Sequence, residues 1–402
     1  MNFSMVYKKY FSWFMARMAL VVALTTVVSS CDSDEPEGPV GPEDPTTGRT
    51  VLVYMLSASN GLGATPPYDY DMQDIREMCD AAAAGDITDG RLLVFHSASN
   101  GNQVLKEITG TGEVDTLKIY DPGIRPQTSQ RMSEVLDDMK TLAPADDYGM
   151  ILWGHGTGWL EDGIADEARS EYQTYAYGSE QGDKWKMNIT TLASVLEDRD
   201  FSFVYFDCCY MASVEVIYQM RHVAPRIVAY PTEVLAWGMP YDRNVKHFFA
   251  KEPELVEAAT ETYDFYASQY NPTYRMCTVS VFNTAGMERL AAATREIYRS
   301  NTTGVPANYT PQSYTLNRNN YYCDFGGYIN ALKPDSRELD EFKAALADVV
   351  ELELVTEKIW NQLAIREHSG FSTFIMSSDA DMSKLNYSRL DWFGDVASAL
   401  IH

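Results

Sequence analysis

The chain has 402 residues, 45% hydrophobic and 12% aromatic, which favours one large or two modest globular domains and excludes a disordered chain or a multi-span membrane protein. Lys and Arg number 32 against 57 Asp and Glu, a formal net charge of −25. Nucleic-acid binding needs a basic surface, so this charge excludes nucleic acid as a partner and either favours cationic partners or serves solubility alone.

Residues 1–30 are typical of a secretory signal peptide, because they carry Lys8, Lys9 and Arg17, no acid, and then the largely apolar run 18–28. Such a run is too short to span a bilayer stably. It closes in Val-Ser-Ser-Cys, which resembles the lipobox read by bacterial lipoprotein signal peptidase. The resemblance implies that Cys31 becomes a lipidated N-terminus. The alternative is a plain secretory signal followed by an incidental cysteine.

Residues 31–48 are interpreted as an acidic tether, since the segment 32–49 is rich in Asp, Glu, Pro and Gly and contains only Val40 among large apolar residues. Its opening Asp-Ser-Asp-Glu resembles the acidic signals that send some Bacteroidetes lipoproteins to the outer face of the outer membrane. A simple solvated spacer is the alternative. Together these segments predict an exported lipoprotein of the outer membrane or cell surface, attached to the membrane through its lipid only.

Cysteine usage argues against a disulfide scaffold, because an odd number of cysteines without regular spacing remains after Cys31. No pair has the C-x-x-C spacing of a structural zinc site. The remaining cysteines are Cys79, Cys208, Cys209, Cys277 and Cys323.

Short apolar runs rich in β-branched and aromatic residues predict buried strands. They lie at 50–56, 92–96, 149–153, 203–206, 226–230 and 278–282, with a further strand at 371–375. Helical spacing lies between them, most clearly after Ser129 as a possible N-cap, and again from Met287 to Ile297. The alternation predicts an α/β fold with a largely parallel sheet covered on both sides. We assign residues 49–250 to a core and 251–402 to a smaller C-terminal extension.

Two strand ends carry candidate chemistry, because sites in such folds lie at the carboxyl ends of the strands. The strand 149–153 leads into His155, which lies between glycines that let a substrate approach closely. The strand 203–206 leads into Asp207, Cys208 and Cys209 and then a helical pattern. A cysteine at a helix N-terminus near an imidazole is stabilised as the thiolate, the form that attacks a carbonyl carbon. A structural histidine and a buried cysteine are the alternatives.

These two motifs resemble those of the clostripain-like cysteine peptidases, which share a caspase-like fold. His155 lies 54 residues before Cys209, similar to the interval of about 50 in caspases. The matching residues are Gly154, His155, Gly156, Gly158 and Trp159 in the histidine motif, and Asp207, Cys209, Met211 and 213–216 in the nucleophile motif. The resemblance implies a three-layer α/β/α sandwich over most of residues 50–395.

The resemblance also implies a role for each site residue. Cys209 is the nucleophile, His155 is the general acid/base, and the backbone N–H groups of Gly156 and Cys209 form the oxyanion hole. No third catalytic residue is assigned. If the strand geometry persists to its end, Asp207, two residues before Cys209, projects beside it and can face the substrate residue before the scissile bond. In this family that aspartate selects Arg or Lys before the scissile bond; the alternative is an N-cap of the following helix. Glu233 is a weaker candidate for the same pocket.

The sequence departs from the family pattern in two places. Cys208 replaces a small residue and is expected to point into the core, where it is inert. Tyr230 and Pro231 replace the small residues that usually precede the glutamate after the nucleophile motif, here Glu233, which puts the substrate preference in doubt.

Self-cleavage between the histidine and the cysteine is a further property that the resemblance implies. The interval 159–189 is long and polar, as expected of an exposed loop. Its basic residues are Arg169, Lys184 and Lys186, of which we favour Arg169 because small residues flank it. The alternative is that these residues are solvated charges and that the enzyme is active as a single, uncut chain.

No cofactor is required for this chemistry. Some family members bind calcium, but no Asp-x-Asp-x-Asp-Gly loop is present, so calcium cannot be placed. Two other functions stay open: a surface lipoprotein on a peptidase fold that has lost catalysis and acts as a binding module, and a glycan-binding lipoprotein suggested by the Tyr and Trp content alone.

Overall fold

The central feature of the fold is a nine-stranded sheet, seen in a computed structural model that describes residues 47–58, 60–63, 66–160, 177–180, 185–301, 304–306, 308–376 and 385–401. The strands, in chain order, are β1 Thr47–Leu56, β2 Gly90–Ser97, β3 Gln103–Ile108, β4 Val114–Tyr120, β5 Ala145–Trp153, β6 Tyr177–Glu180, β7 Trp185–Met187, β8 Phe201–Asp207, β9 Arg226–Ala229, β10 Thr278–Asn283, β11 Cys323–Asp324, β12 Val350–Val355, β13 Lys358–Ile359, β14 Leu363–Ala364 and β15 Ser372–Thr373.

Helices connect these strands. They are α1 Tyr70–Ala84, α2 Ser129–Leu142, α3 Ile189–Leu196, α4 Val214–Gln219, α5 Tyr241–Phe248, α6 Leu255–Ala267, α7 Met287–Ser300, α8 Phe325–Ala331, α9 Ser336–Val349 and α10 Asp391–Asp395. Short 3₁₀ helices lie at Thr284–Gly286, Tyr387–Arg389 and Ala397–Leu400. Within the described residues, no helix is both long and apolar enough to cross a bilayer.

The sheet has the order β12-β10-β9-β8-β5-β1-β2-β3-β4. Its five central strands, β9, β8, β5, β1 and β2, are parallel, and two strands at each edge are antiparallel. The central strands are buried on both faces, which explains their continuous apolar runs. The predicted α/β/α sandwich with a mostly parallel sheet is therefore confirmed.

Side chains alternate between the two helical layers. Val51, Val53, Phe203 and Tyr205 pack with helices α1, α5 and α6, which we call the α1 layer. The other face packs against the α4 layer, formed by α2, α3, α4 and α7 to α10. Both faces of the sheet are therefore buried, and the sheet forms the middle layer of the sandwich.

The C-terminal region contributes directly to this sheet. Strands β10 and β12, from the predicted extension 251–402, form one edge of the nine strands. Residues 44–402 form one compact unit. The extension therefore shares its sheet with the core 49–250.

Two local predictions differ from the structure. The N-cap of α2 is Thr128, not Ser129, because the Thr128 hydroxyl accepts the backbone N–H of Arg131 at 3.2 Å. The strand predicted at 371–375 is only the two-residue strand β15, which pairs with β11 outside the central sheet.

Candidate active site

The parallel register of β5 and β8 brings the two sequence motifs together. Trp153, the last residue of β5, pairs with Asp207, the last residue of β8. His155 and Cys209 each follow two residues later, so they leave neighbouring strands at the same edge of the sheet. Sequence reasoning placed both at strand ends, and the register now places them side by side.

Gly156 packs directly on the nucleophile loop. A Cβ atom at Gly156 would lie 2.5 Å from the carbonyl oxygen of Cys209 and 3.2 Å from the Cβ of Cys208. Real Cβ atoms do not approach this closely, so the position requires glycine. The residue after the histidine thus contacts the backbone of the cysteine, where the oxyanion hole was predicted.

His155 contacts a backbone carbonyl that sequence reasoning did not find. Its Nε2 lies 3.0 Å from the carbonyl oxygen of Asn60, in the loop that follows β1. A carbonyl oxygen only accepts, so Nε2 donates this bond, and Nδ1 is the proton acceptor of the neutral ring. The Asn60 side chain fixes the loop, because it accepts the N–H of Leu62 and donates to the Leu56 carbonyl, both at 3.0 Å.

Cys209 lies in a turn rather than at a helix N-terminus. Helix α4 begins at Val214, five residues later, and its N-cap is Ser213, whose hydroxyl accepts the N–H of Val216. Between them, Tyr210 has a left-handed backbone with φ of 61°. The expectation that a helix N-terminus stabilises the Cys209 thiolate is therefore wrong, because the turn separates the thiol from the helix.

The Cys209 thiol is held by the loop after β9. Its Sγ accepts the backbone N–H of Val234 at 3.2 Å. Burial raises the pKa of the thiol to about 12, and the negative charge of Glu233 adds to this rise. The resting thiol is thus protonated at neutral pH, so attack on a carbonyl requires a base.

Cys208 is buried in the core, as predicted. It is buried in the α4 layer, and its Sγ donates to the carbonyl of Leu152 at 3.5 Å. Burial raises the pKa of this thiol well above its ordinary value. These surroundings fit an inert core cysteine.

Asp207 lies under the site on the side of the α1 layer. It is 4% exposed, and its carboxylate accepts the backbone N–H of Met239 at 3.1 Å and the hydroxyl of Tyr241 at 3.2 Å. Burial raises its pKa to about 6, although both hydrogen bonds oppose the rise. Since Ser213 caps α4, the alternative in which Asp207 caps that helix is excluded.

A cleft of about 80 Å³ joins these groups. Its walls come from Leu62, residues 153–155, residues 207–209, residues 234–236 and Gly238. It therefore contains the candidate nucleophile, the candidate base and one buried carboxylate.

The sequence model of the Clostripain family matches residues 53–382. The chain belongs to the clostripain family. It is accordingly a cysteine peptidase. Both the family and the enzyme class predicted from the sequence are confirmed. No curated protein matches the sequence significantly.

Three solved structures of clostripain-family (C11) proteases are similar to this chain. An inactive zymogen C11 protease from Parabacteroides distasonis is 28% identical with a TM-score of 0.74, over 88% of this chain and 99% of that one. A secreted C11 cysteine protease from Bacteroides thetaiotaomicron, iotapain, is 22% identical with a TM-score of 0.76, over 89% and 100%. A secreted C11 cysteine protease from the same organism, in complex with an irreversible peptide inhibitor, is 26% identical with a TM-score of 0.73, over 88% and 99%.

Glu233 does not line the cleft of this clostripain-family protein. Its carboxylate accepts the indole N–H of Trp360, from the turn between β13 and β14. It is also hydrogen-bonded to Tyr210. The weak sequence candidate therefore supports the loop after β9 instead of forming part of the pocket.

The candidate self-cleavage residues are only partly described. Arg169 and Lys184 lie outside the described residues, as does the lipidation candidate Cys31. Lys186 lies in β7, which pairs with β6. A paired strand is a poor protease substrate, because its backbone is hydrogen-bonded to the neighbouring strand and cleavage requires an accessible backbone.

The cysteines of the described residues form no disulfide; they are Cys79, Cys208, Cys209, Cys277 and Cys323. In the same residues, no group of three or more His, Cys, Asp or Glu side chains is placed to hold a metal ion.

Proposed function

We propose that this peptidase cleaves peptide bonds after Arg or Lys. The observation that carries the proposal is Asp207, a buried carboxylate that lines the cleft beside Cys209 and His155. A buried carboxylate is stabilised by a cationic partner, and a substrate Arg or Lys side chain can supply one. A neutral substrate residue would leave the charge uncompensated, which disfavours its cleavage.

In the proposed mechanism, His155 takes the Cys209 proton on Nδ1 while the sulfur attacks the scissile carbonyl carbon. The N–H groups of Gly156 and Cys209 stabilise the oxyanion, at about 3 to 4 kcal/mol per donor by analogy with measured cases. The imidazolium then protonates the leaving amine, and the peptide bond breaks to leave a thioester. Water, deprotonated by His155, hydrolyses the thioester and restores the thiol.

A panel of fluorogenic peptides that differ only in the residue before the cut tests the proposal. Arg and Lys should be cleaved well, and Gln, Leu and Asp poorly. A thiol alkylator should abolish the activity, while EDTA should leave it unchanged because every proposed step uses groups of the chain. A preference for Asp or a large apolar residue at that position would contradict the assignment.

We further propose that the protein is exported and anchored by lipid on Cys31. The apolar run 18–28 and the Val-Ser-Ser-Cys ending support this, together with the description of one similar structure as a secreted protease. Metabolic labelling with an alkyne fatty acid should mark the wild-type chain and not Cys31→Ser. Label on both proteins would contradict the lipid assignment, and retention in the cytoplasm would contradict export.

Self-cleavage after Arg169 is the last part of the proposal. It is supported by small flanking residues and by the description of one similar structure as an inactive zymogen. N-terminal sequencing of the purified protein should find a new terminus at Ser170 in the wild type and none in Cys209→Ala. An active but uncut wild type would show that the enzyme works as a single chain.

A further inference from the structure

One face of helix α1 presents three acidic side chains toward the sheet. Asp71, Asp74 and Glu77 follow at helical spacing, and Asp71 and Asp74 are 3% and 1% exposed. Asp71 is hydrogen-bonded to Ser57 at 2.7 Å and His96 at 2.8 Å. Asp74 lies between its two acidic neighbours and faces the end of β8.

Asp74 and Asp207 lie close to the same point beneath the cleft. Gly238 lines the cleft with a left-handed backbone, and a Cβ added there would lie 2.7 Å from Asp207 Oδ2 and 3.1 Å from Asp74 Oδ2. The indole N–H of Trp153, which also lines the cleft, donates to Asp74 Oδ2 at 2.6 Å. Asp74 is thus connected to both the pocket carboxylate and the strand that leads into His155.

In the described part of the chain, no Lys or Arg side chain forms an ion pair with Asp74 or Asp207. The charged groups that act on Asp74 are Asp207, Glu77 and Asp71, all acidic. Asp207 has only the neutral donors Met239 N–H and the Tyr241 hydroxyl. Two neighbouring buried carboxyls without a cation cannot both be ionised at low cost. Either a proton or a cationic ligand must therefore neutralise one of the two negative charges.

We propose that Asp74 is a second specificity-determining carboxyl, which forms with Asp207 a pair that holds one proton in the free enzyme and releases it when an Arg or Lys side chain binds. This inference rests on the proposed preference for Arg or Lys. The proton balance is closed: one proton leaves the pair to solvent as one substrate cation enters. Asp74 acts through its charge on Asp207 and needs no direct contact with the substrate.

The titratable surroundings agree with one shared proton. Burial raises the pKa of Asp74 well above its ordinary value, with Asp207 as the next contribution, and burial raises that of Asp207 to about 6. Glu77, whose pKa burial raises to about 7, also faces the pair. The buried tyrosines Tyr205, Tyr230, Tyr241 and Tyr266 and the thiols of Cys208 and Cys209 also face it, and none of these groups carries a positive charge. The imidazole of His155 lines the same cleft as Asp207.

Substrate kinetics provide the first test. Asp74→Asn keeps an oxygen for the Trp153 N–H but removes the charge. It should lower kcat/KM for Arg and Lys peptides about tenfold or more, mainly through KM, and change a matched Gln peptide less than about threefold. Asp80→Asn is the matched control, because Asp80 is an exposed carboxyl on the same helix, and it should change neither substrate.

Proton release provides a test that does not depend on turnover. Cys209→Ala protein is titrated with an Arg peptide by isothermal calorimetry at pH 7, in buffers of different ionisation enthalpy. Binding should release about one proton, the Gln peptide should release none, and Asp74→Asn in the same background should bring the Arg value close to zero.

The outcomes separate the pair from the proposed function. Arg binding without proton release in Cys209→Ala overturns the pair even if Asp74→Asn fails to fold. Equal loss for Arg and Gln peptides in Asp74→Asn would also overturn it, because that is the result of general damage. If Asp207→Asn lowers Arg cleavage and Asp74→Asn does not, the pair fails and the proposed preference stands. If neither variant changes the Arg to Gln ratio, the assignment of selection to Asp207 fails as well, while a wild type that does not prefer Arg or Lys would refute the proposed preference itself.

Discussion

The two faces of β8 end in different chemistry. Toward the α1 layer the strand presents Phe203, Tyr205 and Asp207. The carboxyl group of Asp207 lies near the buried acid Asp74. Toward the α4 layer it continues in apolar side chains and Cys208. One face therefore carries the proposed substrate selection, while the other anchors the strand in a packed core.

The α4 layer also contains a buried acid, but its surroundings are those of a structural group. Glu215 Oε1 accepts the Thr373 hydroxyl at 3.0 Å, the Phe374 N–H at 2.9 Å and the Tyr387 hydroxyl at 3.0 Å. These bonds fasten the C-terminal segment to α4. A buried carboxyl is thus a candidate for substrate binding only where it lines a cleft, as Asp207 does.

The largest effect should separate the adjacent cysteines. Cys209→Ala should lower kcat/KM by at least about 10⁴-fold, because it removes the nucleophile. Cys208→Ala should retain most of the activity, since that thiol only fills the core. Steady-state kinetics on one Arg peptide measures both. Activity in Cys209→Ala together with its loss in Cys208→Ala would reverse the assignment.

Loss of the pocket charge should have the next largest effect. Asp207→Asn should lower kcat/KM for Arg and Lys peptides about 100-fold, which is the cost of a buried charge-assisted pair. Cleavage of a Gln peptide should change much less, because it lacks the cation. The ratio of the two rates is the readout, and an unchanged ratio would place selection elsewhere.

The acid of the α4 layer should affect stability and not selection. Glu215→Ala leaves three buried groups without their acceptor, so the free energy of unfolding should fall by about 2 to 4 kcal/mol. Urea unfolding measures this change, with the exposed Glu252→Ala as the control expected within about 0.5 kcal/mol. An altered Arg to Gln ratio in folded Glu215→Ala would contradict the division between the layers.

The smallest effect is a pH dependence confined to basic substrates. Asp207 binds cations only when it is ionised, and its pKa is about 6. The ratio of Arg to Gln cleavage should therefore fall by up to about tenfold per pH unit below about pH 6. The sign for stability is opposite: a carboxyl whose pKa is raised by folding is protonated more readily in the folded state, so lowering the pH from about 6 to 4 increases its contribution to stability. Asp207→Asn should remove the pH dependence of the cleavage ratio and the contribution of Asp207 to the pH dependence of stability.

Much of the fold could be predicted because burial is visible in single strands. Strands β1, β2, β5 and β8 are continuous apolar runs, and their alternation with helices indicates the layers. The hairpin of β3 and β4 was missed, because these strands lie at the sheet edge and carry many polar residues. Edge strands lack the apolar run that identifies a central strand.

The site residues that act through their side chains could be predicted from the sequence. His155, Cys209 and Asp207 follow strands, and parallel register brings strand ends together. The buried acid Asp74 was not predictable, because on α1 its spacing is that of an ordinary solvated helix face. Its partner Trp153 lies 79 residues away in the sequence, so only the folded chain reveals the contact. The turn at Cys209 was not predicted for the same reason. Contacts with residues distant in the sequence hold this segment in a turn, so that the helix begins only at Val214.

The bond from His155 to the Asn60 carbonyl has a consequence for how this peptidase can lose activity. Every residue has a main-chain oxygen, so no single substitution at position 60 deletes the acceptor, and no change of pH between 4 and 10 titrates it. A substitution at position 60 can therefore disrupt this bond only by displacing the loop after β1. Variants that keep both His155 and Cys209 can accordingly be inactive when that loop is displaced.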